Sequence, residues 1–263
     1  MRSSPATTRS NHREQEILDE IRLAGGSCRV GYLAEKLGVS NETVRRNIKA
    51  LQARALVRKV HGGVLLSEDM RLTEQPFQTR MREQADAKRR IARRLVDMIP
   101  DGASLFLDIG TSTAYAAQAL RARKELYVVT NSLAVASTLA TINGNRVFFP
   151  GGELRSHDGG AFGHDAILFV SRFNVQYAVL SVGAINADTG FMLHDLGESE
   201  LSRAAAARAQ TRIVLADSSK FGQRAPITLA DQDDLDILIT DTVPTDTIAK
   251  MLEARDIALV SAT

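Results

Sequence analysis

Small polar side chains recur at the ends of successive apolar runs in the last two-thirds of this 263-residue chain. The first group is Asp108, Ile109, Gly110, Thr111, Ser112 and Thr113, followed by Thr130-Asn131-Ser132. Next come Gly151, Gly152 and Arg155 with Asp158, then Gly183, Asp195 with Glu198, Arg203, and Lys220 at the end of Asp217-Ser218-Ser219-Lys220. A glycine lets backbone approach a ligand closely, and hydroxyls beside the free N–H groups of a helix start form an anion cradle. Arg155 offers the two-pronged guanidinium that suits phosphate oxygens. Asp108 would repel a phosphate, so it is read as fixing its loop or accepting a ligand hydroxyl. Any one of these Ser or Thr residues reads first as a helix cap; their joint occurrence at strand ends is what suggests binding. His157, His164 and His194 lack metal-ligand spacing and Cys28 is the single cysteine, so no metal and no cofactor is expected.

A second constellation lies near the N-terminus. Ser40 suits the start of a helix over 41–53, in which Val44, Ile48 and Leu51 recur at i, i+4 and i+7 and turn inward. That spacing leaves Asn41, Thr43, Arg45, Arg46, Asn47 and Lys49 on the outer side. Arg pairs with guanine, Asn with adenine, and Thr and Lys with phosphates, which suits a helix lying in the major groove of double-stranded DNA. Shortly after it, Arg58, Lys59 and His61 sit in two short strands around Gly62-Gly63, a basic wing.

The elements that must hold these groups follow from periodicity. Ile17, Leu18 and Ile21 give one stripe of a first helix before Gly25-Gly26; Leu33 and Leu37 mark a second helix over 30–37, ended by Gly38. Together with 41–53 and the hairpin they make a winged helix-turn-helix over 11–66. Residues 67–87 are polar, aperiodic and contain Pro76; they are expected to be a linker, packed on the body through Phe77. From 88 to 263 the chain alternates. A helix over 88–98 precedes strands near 104–107, 126–129, 146–149, 177–181, 211–216 and 237–239, with one more at 258–260; helices are expected near 113–122, 134–141, 165–173 and 198–208. This predicts an α/β domain with a mostly parallel sheet, whose ligands sit at the carboxyl ends of strands.

Charge divides the same way. Residues 1–67 hold 12 Lys/Arg against 6 Asp/Glu, whereas the rest hold 21 against 25. A basic head on an acidic body implies that only the head meets a polyanion. With no signal-like or membrane-spanning run, the chain is expected to be cytoplasmic.

The stretches 33–40, Thr43-Val44-Arg45-Arg46 and Val60-His61-Gly62-Gly63 resemble the DNA-binding domain of the DeoR family of bacterial regulators. The segments Leu107-Asp108-Ile109-Gly110-Thr111, 151–160 and Ser219-Lys220-Phe221-Gly222 are similar to the sensor domain of that family. The resemblance implies a sensor fold like that of ribose-phosphate isomerase and glucosamine-phosphate deaminase. It further implies a homo-oligomeric (dimer or tetramer) repressor of a carbohydrate or glycerol catabolic operon. A phosphorylated metabolite, glycerol-3-phosphate or a sugar phosphate, would release it from its operator. The alternatives are a sugar-phosphate isomerase or deaminase, or a DNA-binding activator with a vestigial pocket. Two departures stand out: the family usually has Asp where this chain has Asn47, and Lys where it has Ser202.

Overall fold

A computed structural model describes residues 5–24, 27–53, 56–60, 62–66, 74–229 and 235–262. The chain divides into two compact units at Arg71/Leu72.

The head is built from α1 (Pro5–Leu23), β1 (Ser27–Arg29), α2 (Val30–Lys36), α3 (Asn41–Ala53), β2 (Val57–Val60) and β3 (Gly63–Leu66). The apolar stripes meet in one core, with Ile17, Ile21, Leu33, Val44 and Leu51 fully buried against Val57 and Val64. Each such side chain contributes about 2 kcal/mol by leaving water. Gly38 takes φ +61 between α2 and α3, and the Ser40 hydroxyl accepts a hydrogen bond from the Thr43 N–H at 3.2 Å, capping α3. The hairpin β2–β3 is joined by β1, in the antiparallel order β1-β3-β2. Gly63 is required here, because a Cβ would lie 2.7 Å from the Cys28 carbonyl oxygen. Strand β1 is a finding beyond the sequence reading; three residues after a glycine pair carry no periodicity.

In the body, α4 (Phe77–Arg82) and α5 (Ala85–Met98) precede β4 (Ser104–Leu107), α6 (Thr111–Leu120), β5 (Tyr127–Thr130), α7 (Leu133–Leu139), β6 (Arg146–Phe148), α8 (His164–Val170) and β7 (Val175–Ser181). There follow β8 (Ala184–Asn186), β9 (Gly190–Leu193), α9 (Leu196–Ala206), β10 (Ala209–Leu215), a 3-10 turn (Ser218–Lys220), β11 (Ile227–Thr228), β12 (Ile237–Thr240), α10 (Asp246–Ala254) and β13 (Ala258–Ser261). Seven strands make a parallel sheet in the order β13-β12-β10-β7-β4-β5-β6. Alternate residues feed two cores: Phe106 and Val129 face α8 and α9, Leu105 and Leu107 face α5 and α6. Burial on both faces is why these strands read as near-continuous apolar runs.

The connector expected over 67–87 needs correction. From Glu74 onward the chain belongs to the body: Phe77 is buried, and α4 and α5 meet at Gln84, which adopts φ +51. The buried Lys88 ammonium donates to the carbonyls of Arg80 (2.6 Å) and Glu83 (2.7 Å), satisfying acceptors that the end of α4 leaves open. Aperiodicity there reflects a helix of six residues, too short to show a stripe. The small antiparallel sheet β11-β9-β8 and helix α10 were also not anticipated. Ile248, Met251 and Leu252 do carry the i, i+3, i+4 spacing, so α10 was legible.

Candidate DNA-binding face and sensor site

Helix α3 turns Val44, Ile48 and Leu51 inward and leaves Asn41, Arg45, Arg46 and Lys49 exposed, with Thr43 partly covered. Ser40 is exposed, and its hydroxyl lies 3.0 Å from that of Thr43. Asn47 is the exception to the expected outer face. It is 7% exposed, and its side-chain amide donates to the Thr43 carbonyl at 2.8 Å. The residue that departs from the family pattern is therefore a helix-packing group within this structure, turned away from where a base would be. On the wing, Arg58 and Lys59 are exposed on β2 beyond the buried Val57; His61 lies outside the described residues.

The residues expected to bind an effector lie around the point where the strand order reverses. From β4 the sheet extends one way through β5 and β6 and the other way through β7, and the crevice at such a reversal is where α/β sheets bind ligands. Here the reversal is tightly laced. Asp108 follows β4 and donates its N–H to the Val179 carbonyl, while the hydroxyl of Ser181, the last residue of β7, donates to the Ile109 carbonyl at 2.7 Å. A side chain on Gly110 would collide with Ser181. Asp108 is 2% exposed: one carboxylate oxygen accepts the Ile109 N–H at 2.8 Å, and the other accepts the Ser202 hydroxyl at 3.0 Å and faces the Ser181 N–H at 3.5 Å. Of the two roles expected for Asp108, the geometry supports loop fixation.

Thr111, Ser112 and Thr113 open α6 and are buried; the Thr113 hydroxyl donates to the Gly110 carbonyl at 3.0 Å. The next strand end is Thr130-Asn131-Ser132, all fully buried. Thr130 accepts the Ser132 N–H at 3.1 Å, and the Ser132 hydroxyl caps α7 by accepting from Val135. Asn131 differs from these neighbours, since both atoms of its side-chain amide are buried without a hydrogen-bond partner. An orphaned amide costs about 1–3 kcal/mol and invites an explanation. The loop over 154–163 crosses these ends, with the Ala161 N–H on the Asn131 carbonyl and the Leu133 N–H on the Gly159 carbonyl.

Arg155 does not present an open fork. Its guanidinium bonds Asp158 and Glu198, lies 3.4 Å from Asp195, and stacks over the Phe162 ring at 4.1 Å. Arg203 points elsewhere, donating to the carbonyls of Leu229 (2.8 Å) and Thr228 (3.1 Å), so it anchors the β11 edge. Gly151 and Gly152 are exposed. Gly183 packs where a Cβ would lie 2.5 Å from His194, a packing role. Lys220 is half-buried at the end of β10, separated from β4 by β7. The structure thus gathers Asp108, Asn131, Arg155, Asp158, Asp195 and Glu198 around adjoining strand ends, while Arg203 belongs to a different edge. Ser181 is the contributor that sequence reasoning missed; its position on the adjacent strand β7, 73 residues away in sequence, left no local signal.

The electrostatics are acidic. Burial pushes the Asp108 carboxyl up to about 7, helped by the negative charge of Glu198 and opposed by the Ser202, Ile109 and Ser181 hydrogen bonds. Burial likewise pushes Glu198 up to about 7 despite Arg155. For Asp158 burial acts in the same sense, but the Arg155 and Gly160 hydrogen bonds outweigh it and hold the carboxyl below the usual range. The native state therefore keeps protons on Asp108 and Glu198 that the unfolded chain releases above about pH 4, so stability falls as pH rises toward 7 and levels off beyond it. Asp108→Asn keeps the acceptor for Ile109 and removes the charge. Thermal melts between pH 5 and 8 are expected to show a flatter slope for this variant; an unchanged slope would contradict the burial of a titrating Asp108.

Known proteins match both units. A DeoR-like helix-turn-helix domain matches residues 13–69, and the DeoR C-terminal sensor domain matches residues 83–242. The chain belongs to the DeoR family. Two relatives in Escherichia coli share the same level of identity with it. This DeoR-family chain is 34% identical to the glycerol-3-phosphate regulon repressor over 227 residues, covering 86% of this chain and 89% of the relative. It is 34% identical to the HTH-type transcriptional repressor CsqR over 250 residues, 95% of each. Among solved structures, ribose 5-phosphate isomerase A of Methanocaldococcus jannaschii aligns with 53% of this chain and 55% of its own, at 16% identity and a TM-score of 0.40, a likeness too distant to bear on function. No described helix is long and apolar enough to cross a membrane.

Proposed function

We propose that this chain represses a carbohydrate or glycerol catabolic operon and leaves its operator when a phosphorylated metabolite binds the body. The observation that carries the reading is the outward face of α3, with Arg45, Arg46 and Lys49 free of the core on a helix-turn-helix of regulator type. Arg58 and Lys59 on β2 extend that basic surface toward the backbone. A homo-oligomer places two such heads on repeated half-sites. The named relatives are repressors, which supports a regulator in preference to an enzyme.

For the effector, the start of α6 with Thr111 and Ser112 supplies phosphate-facing N–H and hydroxyl groups, and Asn131 has an amide in want of a partner. Release follows from linkage: an effector that binds the operator-incompetent arrangement better lowers DNA affinity by the same factor that DNA lowers effector affinity. An anion arriving beside Asp108 and Glu198 raises their carboxyl pKa values further, so binding takes up protons and is tighter at pH 6 than at pH 8.

A thermal-shift screen of phosphorylated three- to six-carbon metabolites, run at both pH values, tests this. The expected result is a raised midpoint with at least one of them, larger at pH 6. A midpoint unmoved by every compound would overturn the sensing half of the proposal.

A further inference from the structure

A cavity of about 320 Å³ opens in the body beside the loop that crosses the strand ends, lined by Phe77 and Gln78 of α4, Leu133 and Ser137 of α7, and Ser156 and His157. That is room for roughly ten waters at about 30 Å³ each, the lower end of the range for small-molecule sites. Its floor is firmly built. The Leu133 N–H donates to the Gly159 carbonyl at 3.1 Å, and Gly159 holds φ +74 with its Cα packed on Leu133. Its lining is amphipathic: Leu133, though a leucine, is 46% exposed beside hydroxyl, amide and imidazole groups. The one carboxylate in the lining, Asp158, is engaged by Arg155 and the Gly160 N–H, so no unpaired fixed charge faces the space. Such a surface suits the C–H faces and hydroxyls of a polyhydroxylated carbon chain and offers nothing specific to a phosphate.

The opposite wall is α4, the first helix after the head among the described residues. It is clamped to the body through its main chain, the Tyr115 hydroxyl donating to the Met81 carbonyl at 3.0 Å and Lys88 to the Arg80 carbonyl, while the Arg80 side chain bonds the Gln75 carbonyl and Glu74 just before the helix. Glu74 also lies close enough to Glu198 to raise its pKa. One short segment thus touches both the cavity and the acidic cluster that surrounds Arg155.

We propose that this cavity seats the hydroxyl-bearing carbon skeleton of the effector, and that α4 is the wall through which occupancy is passed toward the DNA-binding head. This rests on the repressor reading above and adds the site, the ligand chemistry and the element that responds.

Ser137 is solvent-facing on α7, so Ser137→Trp fills the cavity without burdening the core, and it places a tryptophan in a chain that has none. The probes are glycerol-3-phosphate, ribose-5-phosphate and fructose-6-phosphate, each beside its unphosphorylated parent, on the full chain. The proposal expects Ser137→Trp to weaken every probe that shifts the wild type by about tenfold or more. In the wild type, amide exchange over 79–82 should slow about tenfold at saturation. Gln78→Ala is expected to weaken the parent compound and its phosphate by the same factor, which a phosphate contact at Gln78 would not do. A wild-type shift that survives Ser137→Trp undiminished, or α4 amides that do not respond to a bound probe, overturns this proposal alone. A wild type that responds to none of the probes overturns the sensing reading on which it stands.

Discussion

Replacing Arg45 and Arg46 together by Ala is expected to lower operator affinity by about a hundredfold or more, with the melting midpoint unchanged. Both guanidiniums stand on the exposed side of α3, in the turn between Val44 and Ile48, which hold the helix to the core. Removing a base-edge contact costs about 1–3 kcal/mol and removing a phosphate contact weakens all sequences alike, so two losses compound to the stated factor. The neighbouring Asn47→Ala provides the contrast. Its amide bonds the Thr43 carbonyl, so the change should lower stability by about 1 kcal/mol while sparing DNA binding in the folded fraction. Equal gel-shift affinity for the double arginine variant and the wild type would sink the assignment of α3 as the reading helix.

The second large effect is in the body. Arg155→Ala strands Asp158, Asp195 and Glu198, whose charges the guanidinium gathers, and removes the stack on Phe162. Breaking a fully buried ion pair costs about 3–5 kcal/mol; with the Arg155 side chain 20% exposed, about 2–3 kcal/mol is the fitting magnitude. The loss has a pH signature. Glu198, already near 7, rises further without Arg155 and protonates more readily, so the deficit should shrink between pH 7.5 and pH 5.5. Arg155→Lys should recover only part of the stability, because an ammonium cannot bridge two carboxylates in the plane of the fork. Chemical denaturation at both pH values measures this; a variant as stable as the wild type would mean that the guanidinium cluster is dispensable.

The head was almost wholly legible, since α2 and α3 rest on short-range periodicity, a positive-φ glycine and a Ser cap, all written within 20 residues of one another. The strands of the parallel sheet were legible for a similar reason, as two-sided burial makes each an apolar run. The order of those strands and the partners of the polar groups at their ends were not. Arg155 reads as a free fork until residue 198 is brought to it, and Asp108 reads equally as loop-fixing or ligand-facing until Ser181 and Ser202 close over it. Asn47 shows a subtler limit. At α-helical spacing it sits on the border of the inner stripe, and only the hydrogen bond to Thr43 decides its side. Exposed residues proposed to contact DNA, such as Arg45 and Arg46, keep the reading that the sequence suggests, because the fold leaves them on the surface.

The most direct test of the account is fluorescence anisotropy of the DNA fragment upstream of the operon nearest this gene, titrated with the full chain at about 150 mM salt, beside an unrelated fragment of equal length and then with glycerol-3-phosphate and sugar phosphates added. The account predicts binding to the upstream fragment at least about a thousandfold tighter than to the unrelated one, and its reversal by one of the phosphorylated metabolites. Equal affinity for the two fragments, or a complex that no metabolite loosens, would contradict it.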